Sequence, residues 1–222
     1  MSKPIATSVL LAVTAVPSLL QFAVPGLEPA LRRDPAAIAG GEWWRPVTAL
    51  VVQDGGVWGT LLNLAFLAVL GFLAERALGR PRMLLLYATG AAAGEAAGYL
   101  LGRPGAGNSI ALCGLAAGLA VASQGRLERS VGAFYTVIMG SLVLAASTWA
   151  VALTVLLAMA GFQLVVHRER LPGWAFPSVA AVAALALVAS ADLHGYALLS
   201  GMIMAWILRG ASASTSLPTR PA

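Results

Sequence analysis

The stretch that decides the fold is GAGNSIALCGLAAGLA, Gly105–Ala120. From Ile110 to Ala120 every residue is apolar or glycine, and most are small. Small residues let helix backbones approach closely where lipid is the solvent, so Gly114 and Gly118 suit a helix pressed against other helices in a membrane. At the mouth of this segment stand Asn108 and Ser109. Hydrocarbon offers no water to an amide or a hydroxyl, so such a pair needs a partner or a purpose.

The rest of the chain agrees with a membrane setting. Of its 222 residues, 59% are hydrophobic and 10% charged, against about 25% charged in soluble domains. Mean hydropathy is +0.83. The apolar residues fall in runs near the ~20 residues that cross a bilayer. We read an all-α, polytopic transmembrane bundle over residues 1–210, followed by a polar, low-complexity tail over 211–222 that is expected to be disordered. The net charge of +5 does not point to nucleic acid, because no basic helix or basic patch interleaved with aromatics is present. The arginines sit instead in short loops, where they set orientation. A single cysteine, Cys113, excludes an internal disulfide and a cysteine-based zinc site.

The expected spans are Ile5–Val24, Trp58–Leu78, Arg82–Leu101, Asn108–Ser123, Val131–Ala146, Thr148–Val166, Pro177–Ser190 and Leu193–Leu208. The break near Ser147 rests on length: one helix over 131–166 would run ~54 Å at 1.5 Å per residue, against a ~30 Å core. The break near Asp192 rests on the same argument, with Asp192 as a cap. The first run is kept as a span because it lacks a clear small-residue cleavage site. With eight spans, Lys3, Arg76, Arg80, Arg82, Arg126, Arg129, Arg168, Arg170 and Arg209 all fall on one side, the cytoplasmic one, along with both termini. The long first loop, Pro25–Val57, lies outside and is amphipathic enough to lie along the membrane surface.

Ser109 heads the fourth span. The GRPGAG run before it cannot continue a helix well and suggests a loop that dips into the membrane before turning into the helix. The N–H groups of Asn108 and Ser109 at that helix start are then available to a developing oxyanion. A serine nucleophile needs a base. Of the two histidines, His167 lies among arginines in an inner loop and reads as solvated. His194 lies at the outer end of the last span, where an imidazole is rare and usually functional. Both helices run from outside to inside, so Ser109 and His194 share a membrane face and a depth. Gly195 and Gly201 would let the last helix approach closely. Asn63, about one and a half turns into the second span, has the depth to offer its amide to an oxyanion, or to form an interhelical hydrogen bond with no chemistry. Glu75 reads as structural, near Arg76 and Arg80. Glu95 reads as a lone acid, protonated or hydrogen-bonded. Asp192, two residues from His194, would point to a different side of a helix and reads as a cap only.

These residues resemble the rhomboid intramembrane serine proteases over roughly Gly41 to Gly210. GEWWRPVTAL (Gly41–Leu50) is similar to the family's first-loop Trp-Arg motif, with Trp44 and Arg45 in the matching places. GFLAERALGRPRMLLLY (Gly71–Tyr87) resembles the connection in which Glu75 is a structural tether. GNSI, with Gly107 before the serine, matches the Gly-x-Ser-x motif, and HGYALLSG (His194–Gly201) resembles the stretch bearing the histidine. The resemblance implies a six-helix core, here with an added hairpin over 131–166. It also implies a Ser109–His194 dyad that cleaves transmembrane protein substrates in the bilayer. Asn63 and the Ser109 N–H would hold the oxyanion, and the chemistry calls for no metal and no cofactor. The sequence departs from the family at four places. Gly59 stands where a histidine is common, Cys113 where an aromatic is common, and Ile110 and Ala197 where glycines are. Two other readings stand beside the protease. One is an inactive relative that binds transmembrane clients. The other is a small transporter using Glu95, Asn63 and His194 as a polar path. The Ala-rich, Arg-over-Lys composition fits a bacterial inner membrane.

Overall fold

The structure is a computed structural model and describes residues 3–141 and 150–214. Among the described residues, eight long helices carry the bundle: α1 (Ile5–Leu20), α5 (Gly56–Leu78), α6 (Arg80–Leu100), α7 (Ser109–Ala122), α8 (Arg126–Gly140), α9 (Ala150–Val166), α10 (Ala175–Ala189) and α11 (Leu193–Ser214). Three short helices, α2 (Leu27–Leu31), α3 (Pro35–Ala39) and α4 (Arg45–Thr48), followed by a 3-10 turn at Ala49–Val51, fold the first loop. The expected break near Ser147 and the tail beyond Ser214 lie outside the described residues. The last helix continues to Ser214, four residues past the expected boundary at 210.

α7 is the central pillar. Every residue from Ile110 to Val121 is buried, and α5, α6, α8, α10 and α11 pack around it. The closeness comes from glycine. A Cβ on Gly114 would run into the Leu86 carbonyl oxygen, and one on Gly201 would lie 2.8 Å from the Gly114 Cα. Gly118 meets Leu86 of α6. Gly195 takes α10 as its close partner, packing on Val188 and Ala184. The reason is that α11 leaves the tight turn after α10 with that face still turned back.

The bundle is apolar on its outside. Leu62, Val182, Ile203 and Trp206 are each more than half exposed, which suits lipid and not water. Trp43, Val47 and Trp58 project from the first loop and the start of α5, at the level where tryptophan anchors proteins to a membrane surface. Among the described residues, only α5 is long and apolar enough by itself to pass as a crossing helix; α1, α7, α10 and Ala152–Val166 are apolar but shorter.

The shortness of α7 has a consequence for the site. Its 14 residues cover about 21 Å, while the 21 residues of α6 cover about 32 Å. The end of α7 away from Ser109 is tied to α11, where Arg209 donates to the Val121 carbonyl at 3.1 Å. The shortfall therefore falls at the Ser109 end, and the 101–108 loop reaches into the bundle to meet Ser109. The first loop holds that reach in place. Arg33 and Gly105 exchange backbone hydrogen bonds at 2.8 and 3.1 Å, Gly107 N–H donates to Ala49, and Ala106 N–H donates to Asp54 Oδ2.

Two acids differ in fate. Glu75 accepts from the N–H groups of Ala6 and Thr7, from the Thr7 hydroxyl and from Arg80 Nε, a tether of α1 to α5 at the arginine-rich end. Glu95 is not the lone acid expected from the sequence. Its carboxylate lies 3.0 Å from Arg33 Nη1, with both side chains almost fully buried. Arg33 also donates to the Arg103 carbonyl, so this pair clamps the first loop onto α6. The partner escaped sequence reading because it lies in a loop whose path only the folded chain reveals.

Candidate active site

Ser109 is the first residue of α7 and His194 the second of α11. The two helices start at the same end of the bundle and touch through Gly114 and Gly201. This brings Ser109 Oγ within 2.9 Å of His194 Nε2, as their shared face and depth led us to expect. Both residues are half-buried.

The other ring nitrogen is also engaged. His194 Nδ1 lies 2.7 Å from Asp192 Oδ1, and the same oxygen accepts the His194 backbone N–H at 2.9 Å. The expectation that Asp192 would point elsewhere is corrected here. It assumed helical spacing between 192 and 194, but α11 begins at Leu193, so Asp192 stands outside the helix and its side chain is free to fold back over the first turn. The capping role holds, and the ring contact adds to it.

Asn63 is in place beside the serine. A Cβ built on Gly107 would lie 3.1 Å from Gln53 Oε1, 3.6 Å from Asn63 Nδ2 and 3.8 Å from Ser109 Oγ, so these three groups flank one small space that glycine leaves open. Gly107 has φ +138°, a conformation that side-chain-bearing residues rarely adopt. One Asn63 amide hydrogen goes to Gln53 Oε1 at 2.7 Å; an amide carries two, so one remains. The N–H groups of Ser109, Ile110 and Ala111 have no intrahelical acceptor, being the first of α7, and no side chain caps them.

Gln53 was missed in the sequence. It is buried and holds the site's amides together: Nε2 donates to Asn108 Oδ1 and Ser18 Oγ, while Oε1 accepts from Asn63. Gln21 clasps its backbone in both directions. The only signal was an amide in the apolar run VVQDGG. Asn108 itself is fully buried and its side chain serves this network, not the serine. Tyr135 of α8 was missed too. Its hydroxyl donates to the Ser109 carbonyl at 3.4 Å, and its ring meets Phe66 edge-on at 4.8 Å. The helix read as part of an added hairpin therefore walls the site, while α9 packs on its far side.

The remaining motif residues are structural in their contacts. Arg45 donates to the carbonyls of Pro29 and Arg32 and to Glu42, fastening the first loop to itself. Trp44 packs edge-on against Trp43. His167 is exposed in the loop after α9. Gly59 lies one turn above Asn63, and a Cβ there would meet nothing within 4 Å.

A family model for the Rhomboid domain matches residues 40–211. No curated protein and no solved structure gives a match.

Proposed function

The chain belongs to the rhomboid family, a family of membrane proteins that are usually intramembrane serine proteases, and from that premise we propose that it is itself an active one. The observation that carries the reading is the 2.9 Å approach of Ser109 Oγ to His194 Nε2, at the end of a short, fully packed helix. Ser109 Oγ attacks the scissile carbonyl carbon while its proton passes to His194 Nε2 and the carbonyl π electrons move onto oxygen. The oxyanion sits in the space beneath Gly107, facing the Asn63 amide and the free N–H groups at the start of α7. Electrostatic donors of this kind, fixed in advance, supply the largest share of such catalysis. The tetrahedral centre then collapses: the C–N bond breaks and Nε2–H protonates the leaving amine. Water, deprotonated by His194, attacks the acyl-serine, and the proton returns to Ser109 Oγ.

Substrates in this reading are transmembrane segments whose tops unwind, because a fully hydrogen-bonded helix hides its carbonyls. The chain sits in a bacterial inner membrane with Lys3 and the Arg209 end in the cytoplasm, since most basic residues gather at that end of the bundle. The test is reconstitution in liposomes with a single-span substrate carrying small, helix-breaking residues at its outer end. The reading expects cleavage in the outer half of the span, mapped by mass spectrometry and abolished in Ser109→Ala.

A second reading, an inactive relative that binds transmembrane clients, draws on Gly59 and Cys113, where two groups common at active sites of the family are replaced. Intact substrate recovered in complex with the wild-type protein, with no product at any enzyme concentration, would favour it.

A further inference from the structure

We propose that Asp192 is a positioning residue that makes the site a Ser109–His194–Asp192 triad, an inference that rests on the protease reading above. The family resemblance supplied a dyad; the third member comes from this chain's own geometry. One carboxylate oxygen holds both the ring Nδ1 of His194 and its backbone N–H, at 2.7 and 2.9 Å. A ring gripped at its edge and at its own main chain has little freedom to turn, so its far nitrogen stays aimed at Ser109.

The turn that delivers Asp192 is built for the purpose. α10 ends at Ala189, and the N–H groups of Ala191 and Asp192 fold back onto the carbonyls of Val188 and Leu187. Ala191 has φ +51°, the one non-glycine residue at positive φ among the described residues. Left-handed backbone is costly for an L-residue with a Cβ and persists where the surroundings impose it. Here it reverses the chain within three residues and drops Asp192 onto the first turn of α11.

The charge of Asp192 fixes the tautomer. Burial pushes its carboxyl up, but hydrogen bonds from the His194 ring and backbone, the charge of the imidazolium and, less, the charge of Arg103 outweigh this and hold it below the ordinary aspartate value. An ionised carboxylate only accepts, so Nδ1 must carry the hydrogen and Nε2 must present its lone pair to the Ser109 hydroxyl. When Nε2 takes the serine proton, the same carboxylate faces the imidazolium. The other titratable groups around this pair are Cys113 on α7, Tyr135 on α8 and Arg103 in the 101–108 loop. α6 brings Glu95, engaged by Arg33, and Tyr87, whose hydroxyl lies against Thr14 and Asn108. α10 carries no titratable residue.

Two variants separate positioning from capping: Asp192→Asn keeps an oxygen that caps and can accept from Nδ1–H but loses the negative charge, and Asp192→Ser keeps a cap whose shorter hydroxyl does not reach the ring as well. The first measurement is the rate of labelling by a fluorophosphonate across pH. We expect a fall of roughly 10²–10⁴-fold at neutral pH, in line with loss of the correct tautomer in other triads. We also expect the acid limb to move to lower pH, since the imidazole loses its anionic partner, and the thermal midpoint to stay put. The second measurement needs no activity: ¹⁵N NMR of the imidazole in a His167→Gln, Ser109→Ala background, where His194 is the only histidine. Nδ1–H is expected while Asp192 is present and is lost in the Asp192→Ser variant, which has no acceptor at the ring. If Asp192→Asn and Asp192→Ser both label at the wild-type rate with an unmoved acid limb, and Asp192→Ser leaves the tautomer unchanged, Asp192 is a cap and the proposal is overturned. If the wild type itself never labels, the protease reading fails, and the NMR result alone decides the role of Asp192. Should Asp192→Asn not fold, Asp192→Ser, also a good cap, carries the labelling expectations alone.

Discussion

The two histidines lie at opposite ends of one bundle, and the ends are built differently. At the arginine-rich end, the arginines finish on backbone carbonyls and on carboxylates. Arg126 donates to the carbonyls of Arg168 and Leu171, Arg129 to Ala120 and Gly173, and Arg209 to Val121. Such contacts satisfy the carbonyls left over at helix ends and complement the helix dipole. Glu75 likewise ends on the N–H groups of Ala6 and Thr7. His167 takes no part and lies exposed. At the other end, beside the side chains that fasten the first loop to backbone, one cluster finishes on itself: Asp192 on His194, His194 on Ser109, Asn63 and Asn108 on Gln53. A guanidinium on a carbonyl is a finished contact, with no proton to give up. A carboxylate, an imidazole and a hydroxyl in series form a path along which a proton can move. The difference teaches that the kind of partner, more than burial or polarity, separates a structural end from a chemical one.

The comparison breaks most visibly if the wrong histidine matters. Ser109→Ala and His194→Ala are each expected to lower substrate cleavage by about 10⁴-fold or more, with thermal unfolding little changed, whereas His167→Ala leaves both where they were. Next comes the clamp above the site. Glu95→Ala strands the buried Arg33 guanidinium and is expected to cost about 3–5 kcal/mol of stability, read as a lowered midpoint in detergent; retention of the wild-type midpoint would mean that the pair is not buried as described. Asn63→Ala removes one oxyanion donor and is expected to lower kcat by about 10²–10³-fold with KM nearly unchanged. A rise in KM alone would place Asn63 in substrate binding. Gly114→Ala forces a methyl into the Leu86 carbonyl and is expected to cost about 1–3 kcal/mol, measured by thermal unfolding. The smallest effect sharpens the picture from the other direction. Gly59→His projects into open space beside the oxyanion position, and a rise in the fluorophosphonate labelling rate of up to about tenfold, within the range one extra donor supplies, would show that the site is short of a donor.

Much of this was legible in the sequence, for physical reasons. Runs of apolar residues too long for a soluble core set the helices. Glycines at 114 and 201 set which two would touch, and the parity of the spans put Ser109 and His194 on one face. What was not legible depended on loop course and helix rotation. Arg33 reaches Glu95 only because the first loop folds back across α6. Gln53 enters the site because the 3-10 turn before it ends beneath Asn63. Tyr135 faces Ser109 through the rotation of α8, which is fixed by its packing against α7 and α10 in the folded bundle. Asp192 was misjudged because the rule for residues two apart holds inside a helix and lapses at its cap.

The central claim is that Ser109 and His194 form a reactive pair, and covalent labelling tests it most directly. Detergent-solubilised protein treated with a fluorophosphonate should gain one phosphonyl adduct, located on Ser109 by peptide mass spectrometry and absent from both Ser109→Ala and His194→Ala. A folded wild-type protein that takes up no adduct under conditions that label a control serine hydrolase, or one whose Ser109 labels equally fast without His194, would contradict it.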